Sequence, residues 1–223
     1  MINRVNAAES LLADIGTDAA NGDNATTAGT TAAEYNALTG VSGAIPANEA
    51  AYLAAIAANE GPFTSPATEA EVQAMINNVN AAQDLLTAIG IDEEDGAATT
   101  TAATDAQLNN IVGVSGAIKA NESAYQFYID QNAGNFGNPA TAAEVQTMID
   151  EVNASENILA QIGNEGDDPD TTPSIVTVNE LGSIVGITGV VPGNETHYQN
   201  YIDNNPDNFA APATQAEVQA MVD

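Results

Sequence analysis

The sequence predicts an all-α fold built as a tandem array of three-helix bundles of about 73 residues, with no β-sheet. Three observations predict it. Long segments recur: PATEAEVQAMINNVNAAQDLLTAIG (66–90) returns as PATAAEVQTMIDEVNASENILAQIG (139–163), and its opening returns as PATQAEVQAMVD (212–223). Met75, Met148 and Met221 are each 73 residues apart, and Asn48-Glu49, Asn121-Glu122 and Asn194-Glu195 keep the same interval. Such a period marks a repeat architecture. Composition agrees, because aromatics make up only 4 % of 223 residues and Trp is absent, which suits several small cores better than one large one.

The first helix of each repeat opens at Thr68, Thr141 and Thr214, each followed three residues later by Glu71, Glu144 or Glu217. This is the capping box, in which the threonine receives the third amide and the glutamate reaches back to the cap. Val72, Met75, Ile76, Val79, Ala82, Leu86 and Ile89 then fall at the spacing of one buried helical stripe. Gly90, with Gly163 and Gly16 at the same place, is expected to stop the helix. About 22 residues give a rod of roughly 33 Å.

After a variable loop, a second capping box opens a short helix at Thr31/Glu34, Thr104/Gln107 and Thr177/Glu180. Leu108, Ile111 and Val112 form its apolar face, and Gly40, Gly113 and Gly186 close it. The third helix is expected over 45–58, 118–131 and 191–203, with Ile118, Tyr125 and Ile129 on one face and Ile45, Tyr52, Ile56 and Val191, Tyr198, Ile202 as counterparts. Pro46 and Pro192 suit its first turn, while Asn48, Asn121 and Asn194 are alternative caps. The chain therefore divides into 1–65, lacking the first half of its own first helix, then 66–138, 139–211, and 212–223, the start of a fourth repeat. Met1-Ile2-Asn3-Arg4-Val5-Asn6 aligns with Met75-Ile76-Asn77-Asn78-Val79-Asn80, so both ends read as cuts through a longer array. A unit with so few large side chains is marginal alone and gains stability by stacking on its neighbours.

Charge narrows the function. Arg4 and Lys119 face 31 Asp plus Glu, for a net charge of −29. Nucleic acid is excluded as a partner, since its phosphates need clustered cations. An anionic membrane surface repels the chain, and no apolar run is long enough to span a bilayer. The uncompensated carboxylates suit a salty or calcium-rich exterior, where counterions screen their repulsion. Cysteine is absent, so redox compartment is not readable.

The pattern P-A-T-x-A-E-V-Q-x-M-I-x-x-V-N-A, then I-G, an acidic variable loop, and T-x-A-[EQ]-[LY]-x-x-[IL]-x-G-V-[ST]-G resembles the α-helical tandem repeats of giant secreted bacterial surface adhesins and biofilm-associated proteins. The resemblance covers essentially the whole chain. It implies an extracellular, cell-surface or matrix location and a structural role in which repeats set length, with no active site to carry over.

Candidate sites are few. The acidic loops hold Asp92, Glu93, Glu94 and Asp95, then Asp167, Asp168 and Asp170, and more weakly Asp18, Asn21 and Asp23. Clustered carboxylates offer calcium its hard oxygens, but the three loops differ from one another and none has the EF-hand pattern, so solvated loop charge is the competing reading. No other cofactor is indicated. Phe63, Phe136 and Phe209 are expected to plug the joints between repeats. Asn-Glu-x-x-Tyr recurs in every repeat and reads first as helix-end chemistry, with the Tyr ring in the core and its hydroxyl near water; a contact between repeats is the alternative. His197, the one histidine, replaces Ala51 and Ala124 of the other copies and is expected to be exposed; without a partner set it supports no nucleophilic triad. The sequons at Asn24, Asn121, Asn153 and Asn194 follow from a composition rich in Asn and Thr.

The sequence thus favours a non-enzymatic stalk or filament whose partners are neighbouring repeats or like chains. A binding module that recognises a protein or glycan is the alternative, distinguished by exposed apolar or aromatic groups recurring in every repeat. The charge reading has a direct check. Raising NaCl from about 0.1 M to 1 M shortens the screening length from about 10 to 3 Å, so the thermal midpoint should climb across that range. A falling midpoint would mean that attraction between surface charges outweighs their repulsion.

Overall fold

Helices start where the threonines stand. The structure, a computed structural model, describes residues 2–21, 30–58, 63–91, 103–167 and 174–223. Among these residues every regular element is helical and no strand occurs. Long helices α1 (Ile2–Asn21), α4 (Glu69–Ile91) and α7 (Ala142–Asp167), with the shorter α10 (Gln215–Val222), carry the recurring stripe. Short helices α2 (Ala32–Tyr35), α5 (Asp105–Asn109) and α8 (Val178–Ser183) each begin on a complete capping box, from Thr31, Thr104 and Thr177. The third helices are α3 (Glu49–Ala57), α6 (Glu122–Gln131) and α9 (Glu195–Asn204), each entered through a three-residue 3₁₀ turn.

Three hydrophobic clusters form, and none coincides with one sequence repeat. The middle cluster takes Leu85, Leu86 and Ile89 from the second half of α4, Leu108 from α5 and Tyr125, Tyr128 and Ile129 from α6. It is completed by Val145, Met148, Ile149 and Val152 from the first half of α7. The first cluster joins Ile15 of α1 and Tyr52 and Ile56 of α3 to Val72, Met75, Ile76 and Val79 of α4. The third joins Leu159 and Ile162 of α7 and Ile202 of α9 to Val218 of α10. Each of α4 and α7 therefore runs through two cores, its first half closing the preceding one and its second half founding the next. Val112 and Val185, just past α5 and α8, also pack back onto the preceding cluster.

Two expectations are corrected here. Gly16, Gly90 and Gly163 do not end their helices, which continue to Asn21, Ile91 and Asp167. Instead the connector leading to the next long helix lies directly on them. A Cβ on Gly90 would sit 2.4 Å from Gly137 O and 2.7 Å from Ala140 N, and the same 2.4 Å clash recurs at Gly16 with Thr64 O and at Gly163 with Ala210 O. The connector amides of Ala67, Ala140 and Ala213 donate to Leu12 O, Leu86 O and Leu159 O at 2.9, 3.0 and 3.0 Å. The prolines just before these alanines, Pro66, Pro139 and Pro212, are all cis. The helical glycine costs up to about 1 kcal/mol in propensity, and the close backbone approach offsets it.

The second correction concerns Ile45, Ile118 and Val191, expected on the buried face of the third helix. They are 43, 49 and 48 % exposed, because each precedes the 3₁₀ turn in extended backbone. The neighbouring Ala44 and Ala117 face inward in their place. Gly40, Gly113 and Gly186 do close the short-helix segment, each with a positive φ near 80°.

Gly90→Ala tests the connector seat. Overpacking against backbone should cost about 2 kcal/mol, read as a lower denaturation midpoint, whereas Gly134→Ala, where a Cβ meets nothing within 4 Å, should stay within about 0.5 kcal/mol of the parent.

Candidate functional site at the joints between units

Along the first half of the long helices, three polar positions recur. The first is an asparagine inside the stripe. Asn80 Oδ1 accepts from Tyr52 Oη at 2.6 Å and from Asn48 Nδ2 at 2.8 Å, while its Nδ2 donates to Gly43 O at 2.8 Å. Asn153 repeats this with Tyr125 at 2.6 Å, Asn121 at 2.8 Å and Gly116 O at 2.9 Å. The two tyrosine hydroxyls also accept from Ile45 N and Ile118 N, each at 2.9 Å. Gly43 and Gly116 have φ of 82° and 80°, a left-handed turn that a residue with a Cβ rarely adopts.

The second is a glutamine one turn into the helix. Gln73 accepts from Ser42 N at 2.7 Å and donates to Ser42 O at 3.0 Å, an amide paired to a loop backbone as one strand pairs to another. Gln146 does the same with Ser115 and Gln219 with Thr188. The third is the capping glutamate. Glu71 accepts from Thr68 N at 2.8 Å and from Thr64 N in the connector at 3.2 Å, and Glu144 and Glu217 do so from Thr141 and Gly137 and from Thr214 and Ala210. These donors hold all three carboxyls below their ordinary pKa, the amide of the capping threonine foremost.

In Asn-Glu-x-x-Tyr the Tyr ring lies in the core as expected, but the Asn and the hydroxyl follow the alternative reading, a contact with the next long helix. Tyr52 and Tyr125 are fully buried, and their hydroxyls meet the next long helix rather than water. Asn48 and Asn121 make no capping bond, and bond across the joint instead. Glu49, Glu122 and Glu195 do serve a helix start, but that of the short helix, accepting from Ala32 N, Asp105 N and Val178 N at 2.7, 3.0 and 3.0 Å. Sequence reasoning passed over Asn80, Asn153 and the three glutamines. Their signal was a polar residue recurring at the 73-residue interval beside the apolar stripe.

Phe136 packs on the middle cluster, edge-on to Tyr128 with centroids 6.2 Å apart, and Phe209 stands likewise against Tyr201 at 6.2 Å. Phe63 packs on the first cluster. His197 is exposed on α9. The calcium candidates Asp92, Glu93, Glu94, Asp95, Asp168 and Asp170, with Asp23 and the sequon at Asn24, lie outside the described residues, and Asp167 ends α7. Asp18 is buried on α1 and Asn21 ends that helix. Among the described residues no three His, Cys, Asp or Glu side chains gather to hold a metal. No described helix is long and apolar enough to cross a membrane.

Two tests follow. Asn153→Ala removes three hydrogen bonds and strands a buried phenol, so it should lower unfolding free energy by about 2 to 3 kcal/mol, with Tyr125→Phe non-additive to it. The glutamates have a pH signature. A carboxyl whose pKa is lower in the folded state stabilises the fold above its unfolded value, and that contribution disappears as pH falls through the folded value. Glu71→Gln/Glu144→Gln/Glu217→Gln should therefore be less stable than the parent at pH 7, and the gap in thermal midpoint should narrow as the pH falls below the ordinary glutamate value of about 4.3. Comparison with protein-family models, curated proteins and solved structures finds no match to this chain.

Proposed function

We propose that the chain is a non-enzymatic structural segment: a tandem array of three-helix units, each closed by the first half of the following long helix. In this reading it sets length in a stalk or filament outside a bacterial cell, as in the giant adhesins it resembles. One observation carries the proposal: α4 and α7 each belong to two cores, so successive units share a continuous rod rather than a flexible linker. The recurring Asn and Gln clamps support it, because they fix the rotation of one unit on the next with directional bonds.

The recognition alternative draws less support. Phe127 and Tyr201 are each 39 % exposed but occupy unrelated positions, with Asn200 one period after Phe127 and the buried Tyr128 one period before Tyr201. The exposed aliphatics Ile45, Ile118 and Val191 do recur, one per unit, and are the one feature that favours recognition. The net charge of −29 keeps such a rod from adhering to itself or to anionic surfaces.

Small-angle scattering on this chain and on a version extended in phase by further copies of 66–138 tests the proposal. A shared rod predicts a maximum dimension that grows linearly with the number of units. Growth of the radius of gyration with roughly the 0.4 power of length, as for a single globule, would refute it.

A further inference from the structure

The joints between units are not built alike. Between the middle and third clusters, the ring of Phe127 on α6 reaches the next unit: a Cβ on Gly186 would lie 3.6 Å from Phe127 Cε1 and 3.8 Å from Gln215 Oε1. Ser155, buried on α7, accepts from Val185 N at 3.1 Å, and Val185 itself packs on the middle cluster. Tyr128 ties α6 to α7 through its hydrogen bond to Glu151. One period earlier only the valine is kept, as Val112 against the first cluster. Ala54, Ala82 and Ala55 stand where Phe127, Ser155 and Tyr128 do, and Asn78 stands where Glu151 does. A Cβ on Gly113 would meet nothing within 4 Å. Here the structure leaves a cleft of about 260 Å³ between Ala55 of α3 and Asn109 and Asn110 at the end of α5, over Met75, Asn78 and Val79 of α4.

We propose that the joint along α4 is a hinge, about which the first unit rocks on the second while the second and third move as one body. The inference rests on the shared-rod reading and divides that rod into a compliant joint and a braced one. Val112 is the pivot, the contact that both joints keep. Rocking opens or closes the cleft with little loss of solvation, because its mouth is made of exposed amides, Asn78, Asn109 and Asn110, that water can reach in either position. The floor stays covered: Ala55, Met75 and Val79 are only 2, 2 and 3 % exposed, so neither core opens. The helix itself can take the curvature, since long helices bend gently with their hydrogen bonds intact, and Asn78 is a weaker helix former than the Glu151 that α7 has there. At the braced joint the same motion would drag Phe127 off Gly186 and pull Val185 N away from the buried Ser155 hydroxyl. A stalk jointed in this way yields to sideways load at the cleft before either core is disturbed.

The chain has no cysteine, so pairs of introduced cysteines carry spin labels only at the chosen places. Ala50, Ser123 and Thr196 are exposed, one period apart, in the first turns of α3, α6 and α9. Ala50→Cys/Ser123→Cys reports on the α4 joint and Ser123→Cys/Thr196→Cys on the α7 joint, by double electron–electron resonance on the full chain. The first pair should give the broader distance distribution. Phe127→Ala, which removes a ring that is 39 % exposed, should broaden the second pair toward the first and leave the first unchanged. Equally narrow distributions in the parent would overturn the hinge and leave the shared rod standing, whereas two distributions so broad that neither has a maximum would overturn both. An unaltered second pair in folded Phe127→Ala would overturn the bracing role of the ring. If that variant does not fold, the contrast between the two pairs in the parent decides alone.

Discussion

A helix that serves two cores at once cannot tilt in one without disturbing the other, and the remaining features of this chain follow from that constraint. Both α4 and α7 have the first half of their apolar stripe in one cluster and the second half in the next. The connector must then return from the third helix and start a new rod beside the old one, with almost no space between them. That is why glycine recurs at 16, 90 and 163, where a single methyl group would collide with the connector backbone. It is also why the glutamates of the capping boxes bind two amides, one in the helix start and one seven residues earlier in the connector.

With few aromatics to pack, the molecule relies on directional bonds for its specificity. Alanine-rich helices approach closely but interlock poorly, and apolar contact alone leaves the rotation of a rod loosely defined. Asn80 and Asn153 fix that rotation, because each takes the proton of a buried phenol and donates to a loop carbonyl with one side chain. Each is half-buried, and its three bonds support one another. Tyr35 departs from this economy: it stands where the other units have Leu108 and Leu181, it is fully buried, and its hydroxyl has no hydrogen-bond partner. Burial pushes its pKa upward, and its ring meets Tyr52 edge-on at 5.6 Å. Nothing else in the structure explains that substitution.

Charge and architecture are largely separate. The core-side joint contacts are made by neutral amides and phenols, while most of the described carboxylates lie at the surface. Salt thus acts on repulsion between surfaces and leaves the Asn and Gln clamps in place.

Periodicity by itself determined the helical class, the 73-residue interval, the capping boxes and the acidic surface, since each depends on residues within a turn or two of one another. Thr104 and Gln107 cap α5 wherever that helix sits. Tertiary structure decided the rest. A glycine after an apolar stripe reads as a stop signal, and only the neighbouring backbone reveals that Gly90 is a contact surface within a continuing helix. Tyr125 reads as a core residue with a wet hydroxyl until the long helix of the next unit brings Asn153 to it across 28 residues. Core membership crosses the sequence repeat for the same reason: local signals mark where helices begin, but the partner of each helix face is set by packing between segments distant along the chain.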